Sequence, residues 1–280
     1  MDGHRTHWKT PQTALAALCL LCAAAPGGDT PPPMTAGNRI LAAHRGVVTE
    51  TIPENSLASL EETIRRGYTH IEVDLRCTRD GRAVCLHDDR LRRAAGSPRA
   101  AGELTLDELR ALAPVEKVPD FETFCARSAG RIALMPDIKE CPEGLEAAFA
   151  ADIERCLAAH GLLDTALFIG RGAVPERFKK AGGSLRAVSP EAAAGTPPAG
   201  RFVFGHAKDF DGPSVRAFQA LGLKVVVSIN TFHYLGAGDW RGAGGADVKR
   251  MLECGVDGLQ IDSVYEPAFR EHAGGAAGTM

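Results

Sequence analysis

The chain has no basic excess. Its 32 Lys and Arg stand against 35 Asp and Glu, a formal charge of −3 with histidines neutral. A nucleic-acid binder usually carries a positive surplus, so no nucleic-acid partner is expected. No segment is long and apolar enough to span a bilayer: the run Ala14–Ala25 holds about twelve residues, where a spanning helix needs about 20. Beyond residue 25 there is no C-x-x-C pair, so a zinc ribbon or a thioredoxin-type redox motif has no ligands to rest on. No G-x-G-x-x-G follows the first predicted strand, which removes the main support for a doubly wound dinucleotide-binding sheet. Apolar residues are not scarce. At 45% hydrophobic and 24% charged, the chain can offset the entropy of folding, and disorder is excluded.

The amino-terminal stretch differs from the rest. His4, Arg5, His7 and Lys9 precede the small, apolar run Ala14–Ala25, which Pro26, Gly27 and Gly28 break. A basic start, a short apolar core and small residues at its end predict a secretory signal over residues 1–25, cleaved near Ala24 or Ala25. An amphipathic leader or a retained anchor is the alternative. A lipoprotein is disfavoured because Leu18 and Leu21 precede the two leader cysteines. Residues 26–38, with Pro31-Pro32-Pro33, read as a linker, 39–270 as one catalytic-size domain and 271–280 as a flexible tail. The expected location is secreted or periplasmic, with no membrane span once the signal is removed. Six cysteines lie beyond the leader: Cys77, Cys85, Cys125, Cys141, Cys156 and Cys254. Buried free thiols are expected, although Cys77 and Cys85 could face each other across the Asp80-Gly81 turn.

Short β-rich runs alternate with helical stretches from residue 40 onward. Predicted strands cover 40–43, 70–78, 132–135, 166–169, 185–188, 202–204, 225–229 and 259–261, and 83–86 forms a hairpin arm after Asp80-Gly81. Predicted helices cover 56–66 (with Asn55 as cap), 106–112, 121–128, 143–160, 175–180, 214–221 and 246–254. Eight principal strands, mostly alternating with helices, in about 240 residues predict a TIM (β/α)₈ barrel as a single α/β domain. An open doubly wound sheet is the structural alternative.

A barrel places chemistry at the carboxyl ends of its strands. The polar residues there are His44, Arg45, Glu72, Asp74, His87, Asp137, Lys139, Arg171, His206, Lys208, Asn230 and Asp262. Glu72 and Asp74 are two apart on a strand and therefore point the same way. Crowded carboxylates call for a proton or a cation between them. With Asp137, the oxygen-only set suits Ca²⁺ or Mg²⁺ rather than zinc; the alternative is a salt-bridged layer neutralised by Lys139. His44 and His87 supply a general acid and a general base. Arg45 and Lys139 add charge matched to phosphate oxygens. Such a set meets the needs of phosphodiester cleavage.

The strings HRG at 44–46, PENS at 53–56, IEVDLRCTRDG at 71–81, CLHD at 85–88, DIK at 137–139 and VDGLQID at 256–262 together resemble the glycerophosphodiester phosphodiesterase family, of the phosphatidylinositol-specific phospholipase C-like barrel type. They run in order over nearly the whole span from 40 to 265. The resemblance implies His44 and His87 as the acid–base pair and Glu72, Asp74 and a third carboxylate, here Asp137, as ligands of a divalent cation. It places Glu54 at the same site, supporting the metal or its water. The family's glycerol hydroxyl is thought to attack its own phosphate, giving a cyclic intermediate that water opens. Three features depart from the family pattern. Asp137 stands where Glu is usual, as in spider-venom-type phospholipase D enzymes. Ser228-Ile229-Asn230-Thr231 replaces a usual Trp-Thr-Val-Asn. The stretch Phe232–Gly245 is longer than expected, either a lid or a surface loop.

The expected function is metal-dependent hydrolysis of a glycerophosphodiester, or a similar small phosphodiester, to an alcohol and a phosphomonoester. Arg45, Lys139, Glu54, Arg171 and Lys208 are the candidate substrate contacts. Alternatives are a phospholipase D-like lyase that releases a cyclic phosphate and a non-catalytic binder of anionic headgroups.

Overall fold

In the computed structural model of this chain the described residues are 34, 36–139, 141–170, 185–193 and 201–273, all within the unit Pro32–Met280. The predicted signal, most of the predicted linker, the predicted helix 175–180 and Arg171 lie outside them.

Nine strands are described: β1 (Ile40–Ala43), β2 (His70–Cys77), β3 (Ala83–Cys85), β4 (Ala133–Ile138), β5 (Leu167–Gly170), β6 (Leu185–Val188), β7 (Arg201–His206), β8 (Val225–Ile229) and β9 (Gly258–Ile261). Their order is β1-β9-β8-β7-β6-β5-β4-β2-β3, and β1 also pairs with β2. Eight parallel strands thus close into a TIM barrel, with β3 added antiparallel outside the ring on β2. The closing joint is short: only Ala42↔His70 and Ala43↔Ile71 are in register across it. Side chains complete it, with the Leu41 N–H donating to Thr69 Oγ1 at 2.8 Å.

Strand alternation sorts the side chains. Leu41, Ala43, Ile71, Val73, Leu75, Leu134 and Ile138 face outward into the main core beneath the helices. Ile40, Ala42, Met135, Leu167, Ile169, Phe202 and Val226 form a separate cluster, the apolar filling of the barrel. Climbing two residues at a time along the inward face reaches Glu72 and Asp74 on β2, Asp137 on β4 and Asp262 just past β9. The polar site is therefore the uppermost layer of the barrel interior.

The helices follow from local signals. Ser56 caps Leu57–Arg65 in a capping box with Ser59, and Thr105 and Asp120 cap Leu106–Leu112 and Phe121–Ser128. Asn55 is thus not the cap. It adopts φ +54° and turns its side chain into the barrel. The helix expected over 246–254 starts at Trp240, capped by Asp239, and takes up the last part of the predicted loop 232–245. A further helix, Glu266–Ala273, follows the last strand and runs past residue 270. Its buried Glu266 holds Arg66 and the Tyr68 hydroxyl. None of the six described cysteines is in a disulfide. Cys77 sits opposite Ala83 rather than Cys85, and burial pushes its thiol up to about 12. No helix among the described residues is long and apolar enough to cross a membrane.

Candidate active site

Asp74 and Asp137 are register partners on the adjacent strands β2 and β4, and Glu72 lies one inward step below Asp74. One oxygen from each of Glu72, Asp74 and Asp137 falls within 4.8 Å of the other two. Glu72 and Asp74 are each only 1% exposed. Burial, together with Asp74 and Asp137, drives the Glu72 carboxyl well above the ordinary range, so it holds a proton unless a cation takes its place. The only hydrogen bond donated to it among the described residues is the Arg45 backbone N–H, at 2.6 Å from Oε2. Burial acts in the same upward direction on Asp74, but Lys139 and Arg45 outweigh it and hold that carboxyl below its usual value. The Lys139 ammonium sits 2.7 Å from Asp74 and 2.5 Å from Asp137. Three acids against the Lys139 ammonium and an Arg45 guanidinium shared with Glu54 leave the pocket short of positive charge. An oxygen-only donor set with one carboxyl forced to protonate fits a hard divalent cation.

Arg45 links this pocket to its neighbour. In the left-handed region at φ +56°, it spends its N–H on Glu72 while its guanidinium meets Glu54 at 3.1 Å and Asp74 at 3.5 Å. Gly46 follows with φ +75°, and a Cβ there would meet Ser59 Oγ at 2.6 Å, so only glycine fits this turn.

His44 lies on the other side of Arg45. Its Nδ1 is 2.7 Å from Asp262 Oδ1, and Asp262 Oδ2 accepts the Thr231 N–H at 2.5 Å. The carboxylate is held from both ends, and Nε2 is the nitrogen left for a substrate. His87 follows β3 and has its own acid, Asp88, with Nδ1 3.0 Å from Oδ1. Arg93 ties this second group together: it donates to both Asp88 oxygens at 2.9 and 3.0 Å and to Glu54 at 2.5 Å. Glu54, His87 and Asp88 also bring ligand atoms within 4.8 Å, but the Arg93 guanidinium already spans Glu54 and Asp88.

His44, Arg45, Glu54, His87 and Asp262 line one cavity of about 750 Å³. Asp137 and Lys139 open onto a second, of about 590 Å³, with Arg76 and His206. Glu54 faces Arg45 and Arg93 rather than the acid cluster. Lys208 is exposed on the turn after β7 and lines a third cavity beside His206 and His233, apart from both groups. Three further residues belong to the site by contact. Asp262 orients His44. Asn55 Nδ2 donates to Asp74 Oδ2 at 2.7 Å, and its Oδ1 accepts the Asp74 N–H at 2.9 Å. Arg93 joins the two acids beside His87. Asp262 shares the strand-end placement of the other site residues, and that signal could have assigned it.

The profile of the glycerophosphoryl diester phosphodiesterase family matches residues 44–153. A probable glycerophosphodiester phosphodiesterase of Mycobacterium tuberculosis is 34% identical over 134 residues, which cover 45% of this chain and 48% of that protein. The match thus spans about half the length of that relative. In fold the chain is similar to a glycerophosphodiester phosphodiesterase from Parabacteroides distasonis, with TM-score 0.67 and 21% identity over 85% of this chain and 98% of that one. It is also similar to an Oleispira antarctica phosphodiesterase solved with its product sn-glycerol-3-phosphate, with TM-score 0.61 and 22% identity over 83% and 95%. The profile match takes in His44, Glu54, Glu72, Asp74, His87 and Asp137. The chain is thus similar to the glycerophosphoryl diester phosphodiesterase family over residues 44–153, and the matched residues lie at one mouth of a barrel of the same architecture.

Proposed function

We propose that this protein hydrolyses glycerophosphodiesters, or similar small phosphodiesters, to an alcohol and a phosphomonoester. The observation that carries the reading is the pairing of a buried three-carboxylate pocket with a carboxylate-oriented histidine, His44–Asp262, joined through Arg45. Glu72, Asp74 and Asp137 are the ligands proposed for Ca²⁺ or Mg²⁺. When bound there, a divalent cation lowers the cost of charge developing on phosphoryl oxygens.

The chain's own groups do the rest. Asp262 keeps the proton on His44 Nδ1, so that Nε2 can accept a proton from the attacking hydroxyl. His87, oriented by Asp88, returns a proton to the departing alkoxide. The Arg45 guanidinium lines the same cavity and offers planar donors to phosphate oxygens. Such transfers contribute about 10²–10⁴-fold each in comparable reactions. Export, by the leader proposed over residues 1–25, belongs to the same proposal, and the amino terminus of the mature protein tests it.

The deciding experiment follows glycerophosphocholine and glycerophosphoethanolamine by phosphorus NMR with metal-free, Mg²⁺- and Ca²⁺-loaded protein. Glycerol 3-phosphate formed only with metal, and lost in both His44→Ala and His87→Ala, is the expected result. Turnover that survives in both variants overturns the assignment of the pair. A cyclic phosphate that accumulates and persists identifies a lyase, and binding without turnover under either metal identifies a headgroup binder.

A further inference from the structure

Cys77, the last residue of β2, and Cys141, just past β4, share a side-chain hydrogen bond between their thiols. The pairing of β2 with β4 carries both chains to this point. Leu75 stands opposite Ile138, and the Lys139 N–H donates to the Leu75 carbonyl at 3.0 Å. From that rung Cys77 is two residues on from Leu75, and Cys141 two on from Lys139. A third segment marks the same proximity: a Cβ on Gly102 would lie 2.9 Å from Pro142 Cγ and 3.7 Å from the Cys77 carbonyl oxygen. Cys77 belongs to the main core at 2% exposure, while Cys141 packs against the edge of that core and is only half-buried. One residue of the pair therefore meets solvent. Cys85, Cys125 and Cys156 also neighbour one another, on β3 and two helices, but all three are buried.

We propose that Cys77 and Cys141 are a disulfide site: an oxidant joins them on the backbone as it stands, tying the end of the strand that carries Glu72 and Asp74 to the segment that follows Asp137 and Lys139. Cysteines on diverging backbones cannot be bridged, whereas two thiols already in contact need only turn their side chains. The oxidant is a small-molecule disulfide of the glutathione class. The more accessible Cys141 thiolate attacks it, forming a mixed disulfide and expelling one thiolate. Cys77 then gives up its proton and attacks Cys141 Sγ, forming the Cys77–Cys141 bond and expelling the second thiolate. Two protein thiols are oxidised, one oxidant disulfide is reduced, and the two cysteine protons pass to the two departing thiolates. Burial first, and then Cys141, push the Cys77 thiol up to about 12, so the second step is slow at neutral pH and quickens as pH rises. The bond closes a loop of about sixty residues, which restricts the unfolded chain far more than the folded one. Export would bring the chain to such an oxidant, but the pair itself is independent of the phosphodiesterase reading.

The test equilibrates the full chain with oxidised glutathione at mildly alkaline pH, blocks the remaining thiols by alkylation and digests with trypsin. Cleavage after Arg76, Arg79, Lys139 and Arg155 leaves Cys77 and Cys141 each the only cysteine on its peptide. The expected product is residues 77–79 joined to 140–155, separated again by reduction. The oxidised protein should melt about 5–15 °C above the reduced protein. Exchange of the Lys139 amide, whose bond to Leu75 lies beside the new link, should slow by about tenfold or more. In Cys141→Ser, and separately in Cys77→Ala, the linked peptide and both shifts should vanish. Each variant is compared with its own reduced form, so any stability lost to the substitution itself does not enter. A wild type that yields no linked peptide, a link from either cysteine to any other, or a link that leaves the melting temperature unchanged or lowers it overturns the inference.

Discussion

Asn55 grips Asp74 at both ends: its amide donates to the carboxylate at 2.7 Å while its carbonyl accepts the backbone N–H of the same residue at 2.9 Å. Both residues are buried, and the backbone of Asn55 is held at φ +54° to make the reach. Asn55 therefore fixes which Asp74 oxygen is left for other partners. Replacement by Gly keeps the backbone conformation and removes the grip, whereas Ala removes the grip and adds about 1 kcal/mol of left-handed strain. Divalent-ion affinity measured by calorimetry should fall about 10–100-fold in both variants. Only Asn55→Ala should carry the added loss in melting temperature.

The His44–Asp262 contact makes a sharper kinetic prediction. Asp262→Asn keeps the shape but presents an amide to Nδ1, and the imidazole can then settle in the wrong tautomer. kcat should drop by about 10²–10⁴-fold, with melting temperature and metal affinity close to wild type. A fall below tenfold would mean that Asp262 has only a structural role.

Arg93 lies outside the acid cluster yet bridges Glu54 and Asp88. Asp88 is held well below the usual carboxylate range, first by its hydrogen bond to Arg93 and then, against some burial, by His87. Arg93→Ala should loosen His87 and lower kcat/KM by roughly tenfold, with a changed pH profile. Arg93→Lys should restore part of the loss, because a point charge can meet one acid but not fork between two.

His70 offers a test of stability away from the chemistry. It faces into the barrel two residues below Glu72, next to Thr69, with Nδ1 2.9 Å from Oγ1. Burial, and then Lys224, lowers its pKa from 6.5 to about 4. The unfolded chain thus binds the proton more readily, and stability must fall as pH drops from 6.5 toward 4. The loss assigned to this residue is about 1–2 kcal/mol after allowance for its partial exposure. In His70→Asn, urea unfolding should be flatter over that window than in the wild type. Equal slopes would refute the assignment.

The barrel and most of its chemical face were legible because both depend on parity. β-branched runs ending in polar residues mark strand ends, and residues two apart share a face, which brings Glu72 and Asp74 together, while Asp137 joins them through the register of β2 with β4. What the sequence hid depends on tertiary contact. The helix from Trp240 holds Gly242, Gly244 and Gly245, a poor helical composition. Gly244 is nevertheless required there, since a Cβ would lie 2.3 Å from the Tyr265 ring. Close packing overrules propensity at that point. Asn55 and Ser56 are both cap formers, and nothing local says that one of them is needed by Asp74. Arg93 and Glu54 are thirty-nine positions apart, and only the fold brings them together.

Glu72 Oε2 accepts the N–H of the residue that follows His44, across the narrow joint between first and second strands. The carboxyl group proposed to bind metal is therefore also a stitch in the ring. Truncating Glu72 to Ala would open the stave as well as empty the pocket, whereas Gln keeps an oxygen there to receive that N–H. Hydrogen exchange at the Arg45 amide then separates two jobs done by one carboxyl group: slow in Glu72→Gln, fast in Glu72→Ala.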